Sequence, residues 1–193
     1  MQNRTLRIPE QPAQNPVGAD AEGTVELAPV VTGARRRALR DGDRQIDTAH
    51  LLHSLIESDP EVREVFDGGS RLARVLGYLV QRSIGYGLRW QGSVEESGAV
   101  PVVRDPAAEG WSPSAVTAMQ DALHSAGLRG EPRARGLDLL AALAADGECR
   151  AVEVLTRAGV DARWLSGRAV ERAGRGVLAG VTVGCAAEAS WRV

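Results

Sequence analysis

Lysine is absent: all 23 basic residues of this 193-residue chain are arginine. That excludes a GxxxxGK[ST] phosphate loop, a Schiff-base lysine and a lysine general base. Aromatics make up only 4% of the residues, with one phenylalanine, which favours helices filled by aliphatic side chains over a β-sandwich. The two cysteines, Cys149 and Cys185, form no CxxC and are too few for a disulfide framework. No apolar run approaches 18 residues, so no membrane span is expected. Met1–Val17 is broken by Pro9, Pro12 and Pro16 and has no apolar h-region, so it does not read as a signal peptide, and a cytoplasmic protein is expected. A net charge of −2 gives no electrostatic case for nucleic acid or an anionic membrane. There is no GxSxG, and the only histidines are His50, His53 and His124. The expectation is a non-enzyme without a cofactor.

What is present is helical periodicity with clear punctuation. Residues 1–22, rich in Pro, Gln, Asn and Gly, read as a disordered arm. From Val25 a first helix places Val30, Val31, Ala34, Ala38 and Leu39 on one face and stops at Asp41-Gly42-Asp43. Asp47 or Thr48 caps a second, carrying Leu51, Leu52, Leu55 and Ile56. Asp59-Pro60 opens a short third with Val62, Val65 and Phe66. After Gly68-Gly69, Leu72, Val75, Leu76, Leu79 and Val80 mark a fourth. Glycines and prolines dominate 85–110, which reads as a linker with extended pieces at Leu88–Trp90 and Val100–Val103. Ser112-Pro113 then opens a helix with Val116, Met119 and Leu123 inward. Leu137, Leu139, Leu140 and Leu143 mark the next. Val152, Val154 and Leu155 mark a third, closed by Gly159, and Asp161 caps a fourth with Trp164, Leu165 and Val170 inward. The apolar, Gly-rich tail 174–193 fits either a strand or an extended arm.

The two halves repeat. An offset of 88 takes Thr24 to Ser112, Ala38 to Ala126, His50 to Asp138, Leu51 to Leu139, Leu52 to Leu140 and Leu55 to Leu143. One residue further, Val65 meets Val154 and Phe66 meets Leu155. A unit this small buries its own core poorly, so the two are expected to pack together with pseudo-twofold symmetry. The expected division is arm 1–22, repeat one 23–84, linker 85–110, repeat two 111–173 and tail 174–193.

Ile46-Asp47-Thr48-Ala49-His50-Leu51-Leu52 is similar to Ile-Gly-Thr-Glu-His-Ile-Leu, and Trp111-Ser112-Pro113-Ser114-Ala115 to Phe-Thr-Pro-Arg-Ala, of the Clp N-terminal (Clp R) domain. The chain over roughly 24–173 resembles that domain, the double four-helix repeat that precedes the ATPase modules of Clp/Hsp100 unfoldases. The resemblance implies an all-α, pseudo-twofold fold that receives substrates and adaptor proteins without catalysis. It implies, as partners, Clp-type unfoldase or protease components, substrate peptides and hydrophobic cyclic peptides. The acidic positions tied to phosphoarginine reading are occupied here by Ala49 and Leu137, which cannot accept from a guanidinium. The aromatic position that opens each repeat is Gly23 in the first and Trp111 in the second. No Walker motif exists in these residues, so an adaptor, regulator or decoy is expected, with its contact surface between the repeats near Trp111, Thr48 and His50.

Other features have plainer readings. His50 and His53 share a helix face but lack neighbouring ligands, so a structural histidine is expected and no metal. Cys149 at a helix start reads as structural. Trp111 fits a hydrophobic staple with Val116, and equally a binding anchor. The Arg35–Arg40 helix offers the alternative of a DNA-binding regulator, against which Asp41, Asp43 and Asp47 weigh.

Overall fold

A computed structural model describes residues 26–83, Glu95 and 110–185, with side chains described as far as residue 175. Among the described residues are eight α-helices and no strand. They are α1 (Ala28–Asp41), α2 (Thr48–Ser58), α3 (Pro60–Val65), α4 (Gly69–Ser83), α5 (Pro113–Leu128), α6 (Gly136–Ala145), α7 (Arg150–Arg157) and α8 (Ala162–Cys185). The arm 1–22, Thr24, and the pieces at Leu88–Trp90 and Val100–Val103 lie outside the described residues. Helix α8 continues well past residue 173, where the second repeat was expected to end.

The helix ends follow from the capping residues. Gly42, at φ 73°, closes α1 in the left-handed conformation that a side chain disfavours. Asp59 joins two helices. Its N–H donates to Leu55 O at 3.0 Å, ending α2, and its Oδ1 accepts from Glu61 N at 2.8 Å and Val62 N at 3.3 Å, starting α3. Ser112 accepts from Ala115 N at 3.2 Å to cap α5, and Asp161 accepts from Trp164 N at 3.1 Å at the start of α8. Each such cap stabilises by about 1 kcal/mol.

Helices α2 and α6 form the centre. Every residue of α2 from Thr48 to Ile56 is buried, and so are Gly136–Leu140, Leu143 and Ala144 of α6. A helix buried all round must be covered on every side. Here α1, α3 and α4 cover α2, and α5, α7 and α8 cover α6. Contacts between the halves are reciprocal. Helix α2 touches α7 while α6 touches α3; α4 touches α7 while α8 touches α3; and α2 meets α6 directly. Such exchange of partners is what a twofold relation requires. The eight buried leucines and isoleucine of the two central helices (Leu51, Leu52, Leu55, Ile56, Leu137, Leu139, Leu140, Leu143) each stabilise by about 1.5–3 kcal/mol.

Several large apolar residues lie elsewhere than expected. Leu39 is 74% exposed and Val170 58% exposed; Val116 is only half-buried. Small residues take their places. Gly33 and Ala34 line α1, Ala115, Ala118, Ala122 and Ala126 line α5 beside Met119, and Ala169 and Ala173 line α8. Alanine and glycine shorten the distance between helix axes, and neighbouring helices then lie against the small-residue stripe. That turns the adjoining large side chain toward solvent.

Two glycines separate close approach from mere permissiveness. A Cβ on Gly136 would stand 2.0 Å from Asp59 Oδ2 and 3.1 Å from Leu55 Cδ1, whereas one on Gly77, inside α4, would meet nothing within 4 Å. Gly136→Ala is therefore expected to destabilise by about 1–3 kcal/mol through overpacking. Gly77→Ala is expected to stabilise by about 0.5–1 kcal/mol. Urea unfolding of both variants checks the pair, and a shared sign would contradict it.

Candidate functional site

The two sequence motifs meet in space. Ile46 and Trp111 form an isolated parallel β-bridge in which Ile46 N donates to Gly110 O at 2.7 Å and Ser112 N to Ile46 O at 2.8 Å. The residues leading into α2 are thus tied to those leading into α5. Trp111 is half-buried against the core, with part of its surface facing outward at this joint.

Beneath the bridge lies a buried polar network centred on Asp47. As N-cap of α2, its Oδ1 accepts from His50 N at 2.9 Å and from Arg82 Nη1 at 3.2 Å. Its Oδ2 accepts from Arg82 Nη2 at 2.5 Å and Arg150 Nη1 at 2.6 Å. Arg82 comes from α4 of the same repeat and Arg150 from α7 of the other, so one carboxylate joins both halves. Burial works to raise the Asp47 pKa, but the hydrogen bonds of His50 and the charge of Arg82 outweigh it and hold the group well below the usual carboxylate range. Arg82 Nη2 also donates to Asp43 Oδ2 at 2.8 Å.

A second buried carboxylate, Glu95, completes the joint. Its Oε2 accepts from Thr48 N at 3.0 Å and Ser112 Oγ at 2.6 Å; its Oε1 accepts from Thr48 Oγ1 and, at 2.7 Å, from Arg150 N. Thr48 Oγ1 in turn accepts from Ala151 N at 3.0 Å. Glu95 and Thr48 therefore cap α7 from outside it. The helix's own N-cap, Cys149, donates its thiol to Leu143 O at 3.3 Å and makes no side-chain cap. Burial pushes the Cys149 thiol up to about 11, the state of an unreactive structural cysteine.

Of the three expected contact residues, Trp111 is partly accessible, while Thr48 and His50 are buried with their polar groups turned into the network. His50 Nδ1 accepts from Asp47 N at 3.2 Å, closing a reciprocal capping box; at the equivalent place in α6, Asp138 Oδ2 accepts from Arg135 N at 2.9 Å. Ala49 and Leu137 are fully buried. His53 lies beside Glu57 at 3.1 Å; burial and the Arg37 charge push its pKa down to about 4. Glu95 carries no periodic signal, being one of four acidic residues scattered through a Gly- and Pro-rich stretch.

Asp43, Asp47 and His50 bring donor atoms within 4.8 Å of one another. This set does not fit a cation. Arg82 and Arg150 already hold the carboxylate oxygens, and a metal would face two guanidinium charges. His50 Nδ1 is already engaged with Asp47, 3.2 Å from its backbone N. On the arginine-rich helix, Arg37 is tied to Glu57, and Arg40 donates to Asp41 at 3.2 Å and Ser83 at 3.1 Å. Only Arg35 and Arg36 remain as an exposed basic pair there, which is little for a phosphate backbone.

No family model matches the chain, and no curated protein matches it by sequence. Among solved structures it is similar to the N-terminal domain of the caseinolytic-protease-associated chaperone ClpD from Arabidopsis thaliana. The TM-score is 0.57 at 18% identity, over 78% of this chain and 94% of that domain. The chain therefore has a Clp N-terminal-like fold, all-helical and built from two four-helix repeats.

Proposed function

We propose that this chain is a non-catalytic peptide- or protein-binding module of a Clp-type proteolysis system, acting as an adaptor, regulator or decoy. The observation that carries the reading is the placement of a half-buried tryptophan on the joint between two repeats whose backbone is fixed on both sides. A rigid, partly exposed indole is the kind of anchor around which binding energy concentrates. Trp111 is the contact residue in this reading. Thr48 and His50 act from beneath, by holding the start of α2 against α7 and the Ile46–Trp111 bridge. The ligands proposed are apolar substrate segments and hydrophobic cyclic peptides. Phosphoarginine is excluded from the proposal because Ala49 and Leu137 offer no acceptor.

Fluorescence titration with apolar linear and cyclic peptides tests this. Trp111→Ala is expected to weaken binding by about 30-fold, the effect of an interface hot spot near 2 kcal/mol. If Trp111 serves only as a staple, the variant loses about 1 kcal/mol of stability and keeps its affinity. Stability and affinity are measured on the same variant, with Trp90, Trp164 and Trp191 as background. An unaltered dissociation constant removes Trp111 from the site.

A further inference from the structure

We propose that the crossing of the α2 and α7 N-termini is a carboxylate receptor, and that Glu95 is its built-in ligand. Four donors converge there: the N–H groups of Thr48 and Arg150 and the hydroxyls of Thr48 and Ser112. Thr48 Oγ1 accepts from Ala151 N and Ser112 Oγ from Ala115 N, and each hydroxyl places its own hydrogen on Glu95. Four donors aimed at one point suit a group with two oxygens, each taking two hydrogen bonds. Two helix N-termini add partial positive charge to the same point. The seated Glu95 carboxylate, almost wholly buried, meets each of these requirements.

The pseudo-symmetry shows why a separate residue does this. At the matching joint, α3 meets the start of α6. There Asp59 is the N-cap of α3 through Oδ1, and its Oδ2 leans on Gly136, the first residue of α6. There an aspartate of the chain's own helix cap lies between the two helices. At the α2–α7 joint the corresponding N-cap is Cys149, whose thiol turns to Leu143. The position is left to a carboxylate from elsewhere, and the chain brings Glu95 from between the repeats. Glu95 thus ties the starts of α2, α5 and α7 together, independently of any peptide bound at Trp111.

The test uses the full chain at neutral pH. Glu95→Ala is expected to lower the melting temperature by about 10 °C, from the loss of several charge-assisted hydrogen bonds in a chain of this size. Acetate is expected to return about 4 °C of this at tenfold saturation, while chloride at equal ionic strength returns none and the wild type responds to neither. Recovery by inorganic phosphate but not acetate would overturn the carboxylate assignment, as would equal responses to acetate and chloride. Glu95→Gln supplies the second variant. Either orientation of its amide turns an NH2 group toward two donors, so it too is expected to melt lower. Its amide exchange at Thr48 and Arg150 should quicken at least tenfold. A glutamine variant with wild-type melting and exchange would sink the proposal even if the alanine variant failed to fold.

Discussion

Asp47→Ala is expected to destabilise the protein by about 3–5 kcal/mol, measured by chemical denaturation, because it removes the buried carboxylate that Arg82 and Arg150 share. Asp47→Asn should recover little. Its amide nitrogen cannot accept, and all four bonds at this position are donated to Asp47. The group also sets an acid limit. Its folded pKa lies below the ordinary 3.8, so the stability it contributes is present above about pH 4 and is lost as pH falls through the folded value. Below pH 4 the wild type should therefore lose stability more steeply than Asp47→Ala. His53 acts in the window above. Its folded pKa is depressed from 6.5 to about 4, so its contribution is lost as pH falls between those values. A loss under 1 kcal/mol for Asp47→Ala, or parallel acid limbs, would show that the network does not hold the halves together.

Phe66→Ala should cost about 3–5 kcal/mol, and its repeat counterpart Leu155→Ala about 2–5 kcal/mol. Phe66 is the chain's only phenylalanine and heads its fully buried side chains; Leu155 is equally inaccessible. Phe66 directly follows α3 and Leu155 lies within α7, the two short helices that bridge to the opposite repeat, α3 to α6 and α7 to α2. A cavity at either therefore loosens both halves, and each variant should unfold in a single transition. Two separated transitions, or a cost near 1 kcal/mol for Phe66, would mean that the repeats are stable apart.

The elements legible in the sequence are those set by local chemistry. Asp47, Asp59, Ser112 and Asp161 cap helices because a short oxygen-bearing side chain there meets unpaired N–H groups, whatever the rest of the fold does. The leucines of α2 and α6 were legible because their spacing repeats across the 88-residue offset. What escaped was governed by distance between elements. Leu39 and Val170 look like core residues by spacing alone, yet the close approach allowed by Gly33, Ala34, Ala169 and Ala173 decides which face is covered. The joint escaped for a related reason. Its members Asp47, Arg82, Glu95 and Arg150 are scattered over more than a hundred positions, and only the packed fold brings them together. Trp111, by contrast, could be placed at the joint from its motif, while Thr48 and His50 belong to the same region on its inner side.

The two guanidiniums on Asp47 also differ in when the growing chain supplies them. Arg82 belongs to the same half as Asp47, whereas Arg150 follows 103 residues after it. At a synthesis rate of 5–20 residues per second, the 68 residues from Arg82 to Arg150 take about 3–14 s on the ribosome. Arg82 is therefore made well before Arg150, and the first of the two guanidiniums is present on the chain throughout that interval. The later arginine adds the second guanidinium only once the other half of the chain has been made, so the full charge pairing of Asp47 belongs to the joined fold alone.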